Sequence, residues 1–110
     1  MEFDYIFALP LRGGRAIEYG ILYGSAPIVL IKSGRGGSCR GEGDKYLQMA
    51  IRLREACGCT VVCSSNPVGA DDGYLTDEAV LKKFFAESGA PDGAVYLIGS
   101  SNGIAKRRRP

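Results

Sequence analysis

Three unbroken apolar runs, each closed by glycine, serine or asparagine, constrain this 110-residue chain more than anything else in it. They are Pro27-Ile28-Val29-Leu30-Ile31, Thr60-Val61-Val62-Cys63 and Ala94-Val95-Tyr96-Leu97-Ile98. A strand with one wet face alternates apolar and polar residues. A continuous apolar run marks a strand covered on both faces, as in a parallel sheet flanked by helices. Between the first two runs, Asp44 to Ala56 places Leu47, Ala50, Ile51, Leu53 and Ala56 at helical spacing and stops at Gly58. Between the second and third, a helix is predicted from near Thr76, with Val80, Leu81, Phe84 and Phe85 as its apolar face and Gly89 as its end. Thr76, Asp77 and Glu78 suit the positive end of its dipole.

Ahead of these runs lie two β-prone segments, Phe3 to Leu11 and Ala16 to Tyr23, joined across Gly13-Gly14. They read as a hairpin. The expected fold is α/β: a mainly parallel sheet of about five strands, the N-terminal hairpin followed by β-α-β-α-β, with helices on both faces and right-handed crossovers. Residues 1–105 form one domain in this reading, and residues 106–110 form a basic tail. A chain of this length buries roughly two-thirds of its unfolded surface, enough for one core.

The net charge of +2 is uneven. Without Lys106, Arg107, Arg108 and Arg109, ten basic residues face twelve acidic ones, so the body is mildly acidic. Such a tail can hold nucleic acid or anionic lipid by charge alone, but a short terminal run reads more simply as solvated. The start, MEFDYIFALP, is acidic where a signal peptide is basic. No apolar run approaches the roughly 18 residues that span a bilayer. With Cys39, Cys57, Cys59 and Cys63 read as thiols, a cytoplasmic protein is expected. Cys57 and Cys59 are spaced C-x-C and histidine is absent, so the cysteines read as small buried hydrophobes rather than metal ligands.

Chemistry in open α/β sheets lies at the carboxyl ends of strands, and two such ends here are rich in glycine. Gly99-Ser100-Ser101-Asn102-Gly103 fits G-x-S-x-G directly after an apolar strand. In a nucleophile elbow the strand turns sharply into a helix and presents the central serine, here Ser101, while flanking glycines avoid clashes. The second loop, Ser33-Gly34-Arg35-Gly36-Gly37-Ser38, has small residues whose amides can point at an anion. Either loop could instead be a plain tight connection.

Hairpin, strand with SGRGGS, helix, strand with SSNP, helix and strand with LIGSSNG together resemble the α/β-hydrolase superfamily, over residues 3–103, through its nucleophile elbow. The resemblance implies Ser101 as nucleophile and a backbone oxyanion hole from the N–H groups of Arg35 and Asn102, with a small-molecule acyl substrate, no cofactor and no metal. It places Ser33 where the family often has histidine. It also implies an edge hairpin and a strand at Thr60 lying between those at Ile28 and Val95. The family's acid and histidine follow the nucleophile, whereas this chain has nine residues after Ser101, neither acid nor histidine among them. The expectation is therefore a truncated α/β-hydrolase fold, inactive as an isolated chain and prone to self-association through the open edge of its last strand. Asp71, Asp72 and Asp77 are weak substitutes for a base if solvated, and Lys106 sits in the tail.

The alternative is a phosphate- or nucleotide-binding module using the Gly34–Gly37 loop. The loop lacks the third glycine of the dinucleotide fingerprint and the Gly-Lys-Ser/Thr of a P-loop. A nucleic-acid binder held by Lys106 to Arg109 is the remaining class, and salt would abolish its affinity.

Overall fold

Strand β3 (Ser25–Lys32) is the axis of the sheet, paired in parallel with β4 (Cys59–Ser64) on one side and β5 (Val95–Gly99) on the other. The computed structural model describes residues 2–68, 73–87 and 95–99. Beyond β4 lie β2 (Ala16–Leu22) and then β1 (Tyr5–Pro10), giving the order β1-β2-β4-β3-β5.

The sheet is mixed, which corrects the expectation of a mainly parallel one. β1 runs antiparallel to β2, and β2 antiparallel to β4, so half of the four strand pairings are antiparallel. The cause is connection length. Parallel neighbours need a crossover of a dozen or more residues, and only Tyr23 and Gly24 separate β2 from β3. So short a link cannot carry the chain back to the other end of the sheet. β3 must run opposite to β2. The link instead passes across the first residue of β4, and Gly24 permits the crossing, because a Cβ there would lie 2.7 Å from the Gly58 carbonyl oxygen.

The order of the central strands differs too. The strand at Ile28, not the one at Thr60, lies in the middle. β3 leads through helix α1 (Lys45–Cys57) to β4 on one side, and β4 leads through helix α2 (Gly73–Glu87) back past β3 to β5. The two crossovers run in opposite directions along the sheet, and with the usual right hand this puts their helices on opposite faces. The core divides accordingly. Tyr46, Leu47 and Ala50 of α1 pack with Leu22, Val29, Ile31, Val61 and Cys63. Leu81 and Phe85 of α2 pack with Ile17, Tyr19, Ile21, Ile28, Leu30 and Val62. Continuous apolar runs follow directly, since odd and even positions of β3 and β4 face different helices.

Helix α1 ends at Gly58, whose left-handed φ of 70° lets its N–H reach the Arg54 carbonyl. Ala56, placed inward by the helical spacing, is exposed. Helix α2 begins at Gly73, ahead of Thr76, so Asp77 lies inside the helix and faces the sheet rather than capping it.

Candidate functional site

Lys32 is register partner to Ser64 of β4 and to Gly99 of β5, so the carboxyl ends of the three parallel strands stand level. The loop after β3 folds into a turn in which Gly37 N–H donates to the Gly34 carbonyl at 2.8 Å. Gly36, at the third position, has φ 78°, the conformation that reserves this position for glycine. Gly37 is confined as well, since a Cβ would lie 2.9 Å from the Gly34 carbonyl oxygen.

Hydrogen bonds stitch this turn to the loop after β4. Gly36 N–H donates to the Asn66 carbonyl at 2.7 Å, Asn66 N–H returns to the Gly37 carbonyl at 2.9 Å, and the Asn66 amide donates to the Ser33 carbonyl at 3.2 Å. Ser33 N–H donates to the Ser64 carbonyl, and Gly34 N–H to the Tyr46 hydroxyl. One amide of residues 33–37 is left over. The N–H of Arg35 donates to no described residue, and Arg35 is exposed. A tight turn consumes its closing amide and leaves the second residue's amide pointing outward, so a free donor at Arg35 follows from the turn itself.

Beneath the loop sits a buried polar network that the sequence did not disclose. The Lys32 ammonium, 1 % exposed, lies 2.8 Å from Asp77 Oδ2 and donates to Ser64 Oγ and the Ser65 carbonyl. The Tyr19 hydroxyl donates to Asp77 Oδ1 at 2.6 Å. Asp77 is 0 % exposed, not solvated as a free loop carboxylate would be. Its Oδ2 accepts no well-directed hydrogen bond among the described residues, so the ammonium answers it by charge. Burial, with the Asp77 charge beside it, holds the Tyr19 hydroxyl above the usual phenol range. The hint in the sequence was Lys32 itself, a lysine closing a strand covered on both faces, since lysine is almost never fully buried unless paired. The partner's identity had no local signal, as Tyr19 and Asp77 lie 58 positions apart.

Of the predicted site residues, Arg35 and Gly34–Gly37 are placed at this end of the sheet. Ser101 and Asn102 lie outside the described residues, as do Asp71, Asp72 and Lys106 to Arg109. Among the described residues no three His, Cys, Asp or Glu side chains gather as a metal site, and no helix is long and apolar enough to cross a membrane. No protein-family model matches the chain, and a search of curated proteins returned no match.

Proposed function

We propose that this end of the sheet is the acyl-transfer site of a serine hydrolase. Ser101 is the nucleophile, the N–H groups of Arg35 and Asn102 form the oxyanion hole, and the substrate is a small molecule bearing an ester, thioester, amide or similar acyl bond. Kinship with the α/β-hydrolase superfamily is proposed with it, on the G-x-S-x-G pattern and the SGRGGS loop. The observation that carries the reading is the uncommitted N–H of Arg35. It lies in the loop that follows β3, the strand directly beside β5, from whose last residue the sequence runs on to Ser100 and Ser101. An oxyanion donor must be held in place and unused before reaction, so that no reorganisation is needed as charge develops. Placing the Ile28 strand beside the Val95 strand favours this function, because the two loops then spring from neighbouring strands.

A serine hydroxyl needs a general base, and the chain contains no histidine. Asp77 is committed to Lys32 and Tyr19. The isolated chain is therefore expected to hydrolyse activated esters no faster than background. In a polypeptide that carries this segment together with an acid and a histidine, a fluorophosphonate probe labels Ser101 and the Ser101→Ala variant stays unlabelled. An intact protein of that kind with no label at Ser101 overturns the proposal. Phosphate binding by the Gly34–Gly37 loop is the weaker reading, because a phosphate cradle needs several converging amides and the amides of Gly34, Gly36 and Gly37 are already engaged.

Self-association belongs to the proposal: among the described strands β5 pairs with β3 alone, and an apolar edge invites another chain. Four free thiols support a reducing, cytoplasmic location.

A further inference from the structure

At the far end of β4 from the candidate acyl site, α1 closes with Cys57 and β4 opens with Cys59, Gly58 alone between them. Cys59 belongs to the core between α1 and the sheet, so its side chain lies on the same side of the sheet as the helix that ends in Cys57. Gly58, at φ 70°, turns the chain back between the two. With only Gly58 between them and the chain folded back at that residue, the two cysteines are held as near neighbours at the junction of α1 and β4. Their exposures are opposite: Cys57 is open to solvent and Cys59 is 1 % exposed. An exposed thiol with a second thiol close behind it is the arrangement of an attacking and a resolving cysteine.

We infer that Cys57 and Cys59 are a thiol–disulfide exchange site, oxidised by small disulfides such as glutathione disulfide to a Cys57–Cys59 bridge. The Cys57 thiolate attacks one sulfur of the small disulfide. That S–S bond breaks, a mixed disulfide forms on Cys57, and the first small thiolate leaves and takes a proton. Cys59 then gives its proton to solvent and attacks the Cys57 sulfur, expelling the second small thiol. Two protein thiols and one disulfide become one protein disulfide and two thiols. The protein loses two electrons and the small disulfide gains them. The second step needs no outside access to Cys59, because its target is the mixed disulfide already attached to Cys57, with one residue between them in the chain.

Exchange proceeds through the thiolate, so the second step speeds up as pH rises, burial first and Cys57 next having raised the Cys59 thiol. The other two cysteines serve as internal controls. Cys39 and Cys63 are both buried in the core, and burial pushes the Cys63 thiol up to about 12.

The test treats the folded full chain with one equivalent of 5,5′-dithiobis(2-nitrobenzoate). The wild type is expected to release two equivalents of the coloured thiol per chain and to lose two hydrogens in mass, with peptide mapping placing the bridge between Cys57 and Cys59. Cys59→Ala is expected to release half as much and to keep the aryl adduct on Cys57. Cys57→Ser, a change at an exposed position, is expected to abolish fast release, and Ser101→Ala to leave it unchanged. A wild-type chain that stops at one equivalent with a stable Cys57 adduct overturns the inference. So does a bridge mapped to Cys39 and Cys63, or fast release that survives Cys57→Ser.

Discussion

Lys32 Nζ lies 2.8 Å from Asp77 Oδ2, and both side chains are closed off from water. The pair joins the carboxyl end of β3 to helix α2, while the Tyr19 hydroxyl holds the carboxylate from β2. Two consecutive strands and a helix distant from them in the chain thus meet under the loop that presents the Arg35 amide.

Breaking this pair from one side strands a charge in the core. Lys32→Met or Asp77→Leu should lower unfolding free energy by about 3–5 kcal/mol, the usual cost of an uncompensated buried charge. The double variant Lys32→Met with Asp77→Leu should recover much of that loss, since apolar replacement of both partners removes the desolvation penalty with the attraction. Urea titration of the three variants measures the coupling. Additive single losses would mean that the two groups do not act as a pair.

Because the proposed donor at Arg35 is backbone, substitutions there should separate by their effect on the amide. Arg35→Pro removes the N–H at the second position of a tight turn, a position that suits proline, so the fold should persist. In a polypeptide with a complete triad it should cut kcat by roughly 10²–10³, the loss of one oxyanion donor. Arg35→Ala should leave kcat within a few-fold. Equal losses in both variants would point to the guanidinium instead.

Gly24→Ala should be among the most destabilising changes to a small residue in this chain. Its Cβ would strike the backbone at Cys59 and Gly58, which a side-chain rotation cannot relieve. A loss of at least ~2 kcal/mol is expected from such overpacking. Gly14→Ala, with nothing within 4 Å, meets only its positive φ of 75° and should cost nearer ~1 kcal/mol. Thermal melts of the two variants make the comparison.

The Arg40 guanidinium bridges Glu2 and Asp44, and its hydrogen bonds hold both carboxyls below their ordinary range. A carboxylate whose folded pKa is depressed adds stability above its unfolded pKa, and the gain fades as pH falls through the folded value. Glu2 is exposed and Arg40 and Asp44 are only partly buried, so the effect is small and salt-sensitive. The melting temperatures of wild type and Arg40→Gln should differ slightly at neutral pH and converge in strong acid, as pH falls through the depressed carboxyl values. A gap that persists in strong acid would assign the effect to packing.

Light scattering addresses the side of β5 that no described strand pairs. At concentrations on the order of tens of micromolar, an apolar edge strand should give dimers or larger species. A clean monomer over that range would show that the edge is protected.

Much of the fold was legible in the sequence because its signals are local. Leu47 and Ala50 at helical spacing with Gly58 beyond them marked α1, and Gly13-Gly14 marked the hairpin. The Gly34–Gly37 turn was visible as a glycine loop after an apolar run. The sheet's mixed character was also written there, in the two residues between β2 and β3, but reading it requires counting what a link can span rather than following hydrophobicity.

Sequence alone thus determined which segments are strands, which are helices and where the chain must turn, since those choices rest on neighbours within a few residues. Tertiary structure decided that β3 lies between β4 and β5, that Asp77 turns inward onto Lys32, and that Cys59 lies beneath the helix ending in Cys57. Each of these depends on which faces meet once two helices have crossed the sheet in opposite directions, and distance along the chain carries no record of that.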